Sequence, residues 1–593
     1  MKKINVRTWF AGAHLQMSWW VALMLLLKLL IFDVIWCIPT TFKPLSITDT
    51  YLTLAVLVLL LTLPMRVWRL WRTTIVIMAL LDVLLVANLM YFRTYFAAIP
   101  LANYSQAGNL ADFMSSVWAS LRWVDVLFPL TTVAAAVATY RYRTCPKAPA
   151  RGYLWAMAGV VTALAVSLGS QGGFVHAYDS KRQKAYLCSS MPVIYSVFGS
   201  ITFDWLSSRQ AITEADRAAI EQWLGERQPL HALDSVAARP NCVFILCESL
   251  ESWVIGLTVE GQEITPNLNR LLQDSGTLYA LRVLSQVKGG RSIDGQLILL
   301  SGLLPINNGT YSAQYQYNTY FTIPKAMRER YDARSYLLTV DKPSTWNQGQ
   351  VAQAFGIGTI LDYTDFTLDE SFGTHRRVAD RSFLRQAAAK IAAGEVWKDG
   401  EHAFIQLVTY SGHHPFVLPE ELRELHFSAA IPTLMADYMA LAHYTDSAIG
   451  EFVGYLQTLP QYGETLVVIT GDHEGLADAR AELLRSKAAQ GVVSAEPCTP
   501  LIVLNSPVAS VRYDEAMGQV DVYPTLLQLL DLTDYSWHGL GQSILDADKT
   551  PAAALPTLQI VGDSVTESTR RHLQSAFDIS DKIIRFDYLQ PRE

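Results

Sequence analysis

Cysteine is scarce in this chain, and its spacing argues against a cysteine-based metal site. Six cysteines are spread over 593 residues, and no C-x-x-C pattern occurs. A zinc cluster held by cysteines is therefore not expected. Cys242 and Cys247 lie five residues apart on one predicted strand, so they should point to opposite faces and not pair with each other.

Charge is also sparse, and it gives no argument for a nucleic-acid partner. Charged residues make up 17% of the chain and the formal net charge is −7, whereas nucleic-acid binding relies on a basic surface. The sequence has no internal repeat and no low-complexity tract. Hydrophobic residues, by contrast, account for 51%, which is high for a soluble enzyme. At this length, two or more domains are expected.

The apolar residues are concentrated in the N-terminal part of the chain. A membrane span takes roughly 17–25 residues. Five segments are apolar enough to be spans, although the second is short: 17–36, 51–65, 74–92, 124–140 and 153–170. We therefore predict a multi-pass α-helical membrane domain of five spans over residues 1–170, with buried core helices as the alternative. Lys28 and Asp82 fall inside these spans, where charged residues usually face a partner, and could form an interhelical pair.

Basic residues predict the orientation of the spans. They cluster before the first span, after the second and after the fourth: Lys2, Lys3 and Arg7; Arg66, Arg69 and Arg72; Arg141, Arg143, Lys147 and Arg151. The opposite loops carry only Lys43, Arg93 and Arg122. By the positive-inside rule, the N-terminus is cytoplasmic and everything after Ser170 is extracytoplasmic. The first segment lacks a small-residue cleavage site and is predicted to be a retained anchor in the cytoplasmic (inner) membrane.

Two segments outside the spans carry weaker signals. Residues 171–240 are predicted to form a juxtamembrane helical stalk, with a helix-capping signal at Thr213. The loop at 93–123 fits either an interfacial amphipathic segment or an ordinary connecting helix.

The C-terminal half has the pattern of an α/β domain. Strand-like runs alternate there with helix-period segments such as 266–273 and 382–393. This alternation predicts an extracytoplasmic α/β domain with a mostly parallel sheet over residues 241–545. Residues 546–593 are predicted to form a C-terminal segment that packs on this domain.

Several apolar runs of this half end in side chains that bind metals or phosphate. The runs and the residues that follow them are 241–247 with Glu248, 335–340 with Asp341, 403–410 with His413, and 465–470 with Asp472 and His473. Buried parallel strands read as short apolar runs, and open α/β sheets bind their ligands at the carboxyl ends of the strands. We therefore expect Glu248, Asp472, His473 and His413 to meet at one edge of the sheet in a metal site.

Ser292 is the candidate nucleophile. It lies in a glycine-rich stretch, 288–295, just before the helical-looking segment 296–303. A helix N-terminus favours an anion, and coordination to a metal would make a serine oxygen a strong nucleophile. The neighbouring Arg291 could offer its charge to a phosphate. Taken alone, this stretch favours a simple helix cap at Ser292. Combined with Glu248, Asp472 and His473, it favours the nucleophile.

Seven motifs occur together in an order that resembles lipoteichoic acid synthase-like proteins of the sulfatase/alkaline phosphatase superfamily. The motifs are ESLES at 248–252, TPNLN at 265–269, GRSID at 290–294, WN at 346–347, SGHHPF at 411–416, GDH at 471–473 and DVYPT at 521–525. The resemblance covers nearly the whole chain. It implies a five-span membrane domain followed by an outward-facing sulfatase/alkaline phosphatase-like domain.

The resemblance also implies roles for single residues. It assigns one divalent metal, Mn²⁺ first and Zn²⁺ or Mg²⁺ as alternatives, to Glu248, Ser292, Asp472 and His473. It assigns substrate contacts to His413 and Trp346, and its phosphate-binding position falls on Gln348. The chain differs from the family at two of these positions. Ser292 stands where the family has threonine, and Gln348 stands where it has a phosphate-binding arginine. The segment 292–296 lacks the Pro and Arg of a formylglycine site, so a sulfatase is disfavoured.

The predicted function is a membrane-anchored, metal-dependent transferase. It would move a phospholipid-derived phosphoglycerol headgroup to an envelope glycan or lipid acceptor through a covalent intermediate on Ser292. His413 would protonate a leaving oxygen or orient the phosphate. A membrane phospholipid would be the donor, and no nucleotide or nucleic acid is needed. A phosphoethanolamine transferase and a metal-dependent phosphodiesterase or phosphatase remain the alternatives.

Overall fold

The computed structural model describes most of the catalytic half and the helices of the N-terminal half. The described residues are 17–37, 48–68, 70–95, 99, 121–142 and 151–170, and 212–591 apart from 235–236, 308, 344, 373–376, 478 and 563–564. They fall into two compact units, which divide near residue 211. Most of the loop at 93–123 and residues 171–211 of the predicted stalk lie outside the described residues.

Helices occupy the five apolar segments of the N-terminal unit. They are α1 (Met17–Cys37), α2 (Thr48–Trp68), α3 (Trp71–Tyr95), α4 (Leu127–Tyr142, after a 3-10 turn at Trp123–Val126) and α5 (Arg151–Gly169). Among the described residues, two stretches are long and apolar enough to cross a membrane, Trp71–Tyr91 and Trp123–Tyr140. Ser18–Phe32 and Leu54–Trp68 are apolar but shorter. The described helices thus support a membrane domain, and the count of five spans stays a prediction.

Lys28 and Asp82 form the predicted interhelical pair. The Lys28 ammonium donates hydrogen bonds to the Asp82 carboxylate and, at 3.1 Å, to the Met78 carbonyl oxygen. The Thr132 hydroxyl donates to Asp82 Oδ2 at 2.6 Å. All three polar side chains are buried, so one hydrogen-bonded cluster joins α1, α3 and α4 and satisfies both charges.

The second unit is an α/β domain. Its described helices are α6 (Glu214–Gly225), α7 (Pro266–Leu271), α8 (Ser292–Ser301), α9 (Tyr311–Gln314), α10 (Ile323–Tyr331), α11 (Gln348–Ala354), α12 (Asp380–Ala392), α13 (Thr433–Leu456), α14 (Ala479–Leu483), α15 (Val522–Leu529) and α16 (Glu567–Arg585). Its strands are β1 (Asn241–Cys247), β2 (Thr258–Val259), β3 (Gln262–Glu263), β4 (Leu278–Leu284), β5 (Arg334–Thr339), β6 (Thr359–Leu361), β7 (Ser371–Phe372), β8 (Arg377–Val378), β9 (Ala403–Val408), β10 (Thr465–Gly471), β11 (Cys498–Leu504), β12 (Val511–Tyr513), β13 (Met517–Gly518), β14 (Ala552–Ala554) and β15 (Ile560–Gly562).

The main sheet is mixed and mostly parallel, as predicted. Its strands follow the order β12-β4-β11-β10-β1-β9-β5-β6, and β13 also pairs with β4. β1 runs parallel to both of its neighbours, β10 and β9. β11 is the exception, because it runs antiparallel to β10 and to β4. The carboxyl ends of β1, β9, β10 and β5 therefore lie at one edge.

The sheet separates two hydrophobic cores, because successive side chains of a strand point to opposite faces. Cys242, Phe244 and Leu246 of β1 lie in one core, whereas Val243, Ile245 and Cys247 lie in the other. Both cysteines are buried and form no disulfide. The prediction that they do not pair with each other is therefore confirmed.

The ends of the second unit pack against each other. Thr213 caps α6 as predicted, since its hydroxyl oxygen accepts the Asp216 N–H at 3.0 Å. The Trp223 indole of α6 stacks on the His572 ring of α16 at 4.3 Å and donates to the His572 carbonyl oxygen. Ser580 of α16 bonds both backbone groups of Leu304, near the end of α8. Helices α6 and α16 thus belong to the folded body of the catalytic unit.

Candidate active site

Four reactive side chains meet at the carboxyl edge of the sheet. Glu248 follows β1, Asp472 and His473 follow β10, and Ser292 opens α8. The Ser292 Oγ lies 3.1 Å from Glu248 Oε2 and 3.2 Å from His473 Nε2. That Nε2 lies 3.5 Å from Glu248 Oε1 and 3.6 Å from Asp472 Oδ2. We refer to Glu248, Ser292, Asp472 and His473 as the edge cluster.

A tight turn places Ser292 at the start of α8. Arg291 has φ 48° and ψ −114°, a strained conformation for a residue with a Cβ. The Asp294 carboxylate stabilises the turn by accepting the backbone N–H groups of Lys288 and Gly290, both at 2.9 Å. With these two N–H groups hydrogen-bonded to Asp294, the turn ends at Arg291 and helix α8 begins at Ser292. The helix therefore starts four residues before the segment 296–303 that the sequence indicates.

Glycine brings α8 close to the end of β10. A Cβ atom at Gly295 would lie 2.5 Å from the carbonyl oxygen of Asp472, closer than any side chain allows. A Cβ at Gly412 would similarly lie 2.0 Å from the carbonyl oxygen of Glu248. The absence of a side chain at both positions lets the residues of the edge cluster approach one another.

The two carboxylates of the edge cluster have opposite pKa shifts. Burial raises the pKa of Asp472 well above its ordinary value, and the charge of Glu248 adds to this rise. Burial also acts to raise the pKa of Glu248, but the neighbouring histidine side chains and the hydroxyl donors Ser249 and Ser292 outweigh it and lower the pKa. Two buried carboxylates this close resist ionising together, which makes the pair a strong attractor for a cation.

His473 is present as neutral imidazole. Burial, assisted by the charge of Arg291, lowers the pKa of His473 to about 4. Its Nδ1 lies 2.8 Å from the carbonyl oxygen of Glu474, which can accept the ring proton there. In that tautomer the Nε2 lone pair points to Ser292 and the carboxylates, as a metal ligand requires.

The edge cluster fits a divalent metal. The ligand atoms of Glu248, Asp472 and His473 lie within 4.8 Å of one another. Asp472 Oδ2 is buried and accepts no hydrogen bond of regular geometry from the described residues, which is costly unless a cation is its partner. Two carboxylates, one imidazole and one hydroxyl make an oxygen-rich donor set that suits Mn²⁺ and is acceptable to Zn²⁺.

Arg291 is bound to Glu474 next to the edge cluster. Its guanidinium forms an ion pair with the Glu474 carboxylate and donates to the Glu474 carbonyl oxygen at 2.6 Å. Its Nη2 also lies 3.0 Å from His473 Nδ1, which can accept this N–H only in the other tautomer, with the ring proton on Nε2. Burial acts to raise the pKa of Glu474, but Arg291 outweighs it and holds that pKa at about 2. In these contacts Arg291 positions the His473 loop.

His413 lies in the loop after β9, the strand beside β1. Its Nδ1 is 2.8 Å from the His414 carbonyl oxygen, and its ring stacks on Tyr410 at 5.5 Å. Its neighbour Gly412 packs directly against the Glu248 carbonyl oxygen, so the loop that carries His413 passes beside the edge cluster. Among the described residues, His413 is not one of those whose metal-ligand atoms group together. His413, Tyr410 and Arg377 share a surface pocket.

Trp346 and Gln348 follow β5, one strand beyond β9. Trp346 has a positive φ of 52° and is half-buried against the hydrophobic core. Gln348 is buried at the start of α11. The described hydrogen bonds and ion pairs link neither residue to Glu248, Ser292, Asp472 or His473, so their substrate contacts stay a prediction.

Sequence reasoning missed the groups that hold the ligands in place. The Ser249 N–H donates to Asp472 Oδ1 at 2.7 Å, and its hydroxyl donates to Glu248 Oε1 at 2.7 Å. The Thr409 hydroxyl oxygen accepts the Glu248 N–H at 3.0 Å, and Gln519 donates to the Asp472 carbonyl oxygen at 2.8 Å. Ser249 could have been suspected from its place beside Glu248, but the sequence carries no signal for the other two.

Comparison with known proteins agrees with the division of the chain into a helical N-terminal part and an α/β domain. Residues 240–532 match the Sulfatase family, and residues 1–187 match the lipoteichoic acid synthase N-terminal domain. The lipoteichoic acid synthase of Staphylococcus saprophyticus is 23% identical over 79% of this chain and 74% of its own length. The lipoteichoic acid synthase-like YvgJ of Bacillus subtilis is 24% identical over 80% of this chain and 78% of its own.

One solved structure supports the fold. The lipoteichoic acid synthase LtaP from Listeria monocytogenes matches with a TM-score of 0.50 and 17% identity, over 62% of this chain and 98% of that one. The two family matches cover the helical unit and the domain that carries the edge cluster. The chain is therefore a lipoteichoic acid synthase-like membrane protein and a phosphotransferase of the sulfatase/alkaline phosphatase superfamily.

Proposed function

We propose that this enzyme transfers a phosphoglycerol headgroup from a membrane phospholipid to an envelope glycan or lipid, through a covalent intermediate on Ser292. The observation that carries the proposal is the position of the Ser292 hydroxyl. It lies at a helix N-terminus, 3.1 Å from Glu248 and 3.2 Å from His473. A serine that only caps a helix does not require a carboxylate and an imidazole, two side chains that commonly bind metals, next to its hydroxyl oxygen.

Glu248, Ser292, Asp472 and His473 would hold one divalent metal, for which we propose Mn²⁺. When bound, the ion supplies positive charge that stabilises a serine alkoxide and the charge that develops on phosphate. The N-terminus of α8 contributes its backbone N–H groups and the positive end of its dipole to the same anion.

The chain's own residues would then perform two displacements. The Ser292 Oγ attacks phosphorus, diacylglycerol leaves, and His413 gives its proton to the leaving oxygen or orients the phosphate. The phosphoglycerol group is then covalently bound to Ser292. An acceptor hydroxyl then attacks the same phosphorus, passes its proton to the deprotonated His413 and releases the Ser292 oxygen as the alkoxide. Because two in-line displacements occur, the configuration at phosphorus is retained.

The membrane domain would place this chemistry at the outer leaflet. We propose five spans, a cytoplasmic N-terminus and an extracytoplasmic catalytic unit in the cytoplasmic membrane. The excess of Lys and Arg in alternate loops supports this orientation. On that side the donor lipid and an envelope acceptor are within reach, whereas cytosolic nucleotides are absent.

Phosphoethanolamine is the second candidate headgroup, because Gln348 stands where the family has a phosphate-binding arginine. The test is to incubate the purified protein with labelled phosphatidylglycerol or phosphatidylethanolamine in mixed micelles and to identify the lipid product. We expect diacylglycerol from phosphatidylglycerol and transfer of the label to an added hydroxyl acceptor. Release of diacylglycerol only from phosphatidylethanolamine would favour the second headgroup. Label that passes only to water would indicate a phosphodiesterase.

A further inference from the structure

A pocket beside the edge cluster contains an arginine that the proposed mechanism does not use. Six of the residues that line it are Phe372, Arg377, Tyr410, Ser411, His413 and His414. Arg377 begins β8, which pairs with β7 so that Arg377 stands opposite Phe372. The pocket thus combines one guanidinium, aromatic rings and the histidine assigned to the leaving group.

Asp341 holds the guanidinium of Arg377 in place. Asp341 Oδ1 accepts Arg377 Nε at 3.1 Å and Nη2 at 2.7 Å. Asp341 is itself fixed, because its carboxylate also accepts the Lys342 N–H and the Thr345 hydroxyl. The Arg377 and Asp341 side chains are only 12% and 18% exposed. Arg377 is therefore oriented before any ligand arrives, which reduces the entropy cost of binding.

The pocket adjoins the edge cluster through Tyr410. Tyr410 follows β9 and stacks on His413. Burial raises the pKa of Tyr410, the charges of Asp341 and Glu248 raise it further, and the charge of Arg377 opposes them. Thr409, the residue before Tyr410, accepts the Glu248 N–H on its hydroxyl oxygen at 3.0 Å, so the pocket lies next to the edge cluster.

The chemistry of this arrangement matches phosphate. A guanidinium presents a planar fork of N–H donors to phosphate oxygens. Among the described residues, Arg377 has Asp341 as its hydrogen-bond partner, whereas Arg291 is bound to Glu474 and the His473 loop. We infer that Arg377, oriented by Asp341, binds a phosphate group of the substrate in this pocket. The inference rests on the proposed function. The phosphate comes either from the donor lipid or from an acceptor that already carries one.

The experiment compares Arg377→Gln, Arg377→Lys and the matched surface control Arg385→Gln in two assays. Arg385 pairs with Asp369 at the surface and is 63% exposed. The first assay measures kcat and KM for diacylglycerol release from phosphatidylglycerol. The second, at saturating donor, measures the preference for glycerol phosphate over glycerol as acceptor. Metal content and the melting temperature are recorded for every variant.

If the donor phosphate binds Arg377, Arg377→Gln should raise the KM for phosphatidylglycerol about tenfold or more, since a charge-assisted hydrogen bond is lost. If the acceptor phosphate binds there, the preference for glycerol phosphate should fall instead by a similar factor. Arg377→Lys keeps the positive charge but lacks the planar guanidinium donors, so its KM or acceptor preference should lie between those of the wild type and Arg377→Gln. If Arg377→Gln does not fold, Arg377→Lys is the variant used for the comparison. Arg385→Gln should match the wild type in both assays.

If the Arg377–Asp341 ion pair has only a structural role, Arg377→Gln should lower the melting temperature and leave both the KM and the acceptor preference unchanged. That result, obtained with an active wild-type enzyme, would refute phosphate binding by Arg377 and leave the proposed function intact. A wild-type protein that releases diacylglycerol from neither lipid would overturn the proposed function, and this inference with it.

Discussion

The hydroxyl oxygen of Ser292 lies 3.2 Å from Nε2 of His473, although 181 residues separate the two in the chain. The pKa of His473 is lowered to about 4, first by burial, so the imidazole that faces the serine is uncharged at neutral pH. A neutral imidazole beside a hydroxyl and two carboxylates is an arrangement that binds a cation. This relationship underlies the predictions that follow.

Removing one carboxylate should empty the metal site without unfolding the protein. We expect Asp472→Asn and Glu248→Gln to lose bound metal and to lower headgroup release by several hundredfold or more, on the order of the loss for an electrostatic catalytic group. Elemental analysis and activity of the same preparations check this. Asp531→Asn, which alters a surface pair with Arg330, is the control. Full metal content with normal activity in both site variants would remove these residues from the site.

Metal binding should weaken as the pH falls. Because the pKa of Asp472 is raised, a metal must displace a proton from this carboxyl group, and the competition grows at lower pH. Protons should not compete with the metal for His473 until the pH approaches 4, because the pKa of His473 is lowered to about that value. Calorimetric titration with Mn²⁺ at pH 8, 7 and 6 should show decreasing affinity with proton release, and a pH-independent affinity would contradict this electrostatic account.

The approach of α8 to β10 should tolerate no side chain at residue 295. A methyl group in Gly295→Ala would meet the Asp472 carbonyl oxygen at 2.5 Å. We expect a loss of about 1–3 kcal/mol in the free energy of unfolding and a larger loss of activity, because Ser292 would move away from its partners. Gly454→Ala in α13, where the added methyl has open space, should be neutral or slightly stabilising. Equal denaturation midpoints for the two variants would refute the close approach.

A buried ion pair should hold the loop that carries Asp472 and His473. Glu251 Oε1 accepts the N–H groups of Gly475 and Leu476, both at 2.8 Å, and Oε2 lies 2.8 Å from Arg480 Nη2. Glu251→Gln leaves Arg480 without its counter-charge, so we expect a loss of about 3–5 kcal/mol in the free energy of unfolding and weaker metal binding. Asp514→Asn, at an exposed surface pair with Arg512, is the control and should not change the melting temperature. A Glu251→Gln protein as stable as this control would show that the pair has no supporting role.

The orientation in the membrane can be read from two native cysteines. Cys145 lies in the loop predicted to be cytoplasmic, and Cys188 follows the last predicted span. In intact cells a membrane-impermeant maleimide should label Cys188 but not Cys145, and Cys145 should react after permeabilisation. Cys188→Ser provides the background. Labelling of Cys145 alone in intact cells would reverse the orientation and remove the catalytic unit from the outer leaflet.

The sequence predicted the meeting of Glu248, Asp472 and His473 because these three residues directly follow buried strands, whereas Ser292 opens a helix. A buried strand can be recognised in the sequence from a short run of apolar residues. Neighbouring parallel strands then bring their carboxyl ends to the same edge of the sheet. The run at 241–247 coincides with β1, and β10 begins at Thr465 as predicted. The antiparallel direction of β11 was not foreseen, because the direction of a buried strand leaves no trace in its composition.

The groups that support the ligands could not be predicted from the sequence. Thr409 bonds Glu248 across 161 residues of chain, and Arg377 pairs with Asp341 across 36. Such contacts depend on how strands are ordered in the sheet, which local patterns do not encode. Ser292 was singled out on its glycine-rich turn, but only the fold brings its oxygen to His473.

The most direct test of the account is whether Ser292 carries the headgroup. Wild-type protein incubated with labelled phosphatidylglycerol and no acceptor should yield one modified peptide, with glycerol phosphate esterified to Ser292 in the mass spectrum. Ser292→Ala should lose both the adduct and diacylglycerol release, while folding should persist because the Ser292 hydroxyl bonds the site residues Glu248 and His473 and loss of such a hydrogen bond costs about 1 kcal/mol. Ser292→Thr should keep part of the activity. If Ser292→Ala still cleaves the lipid at a comparable rate and no adduct forms in the wild type, the covalent mechanism is wrong and a metal-activated water performs the reaction.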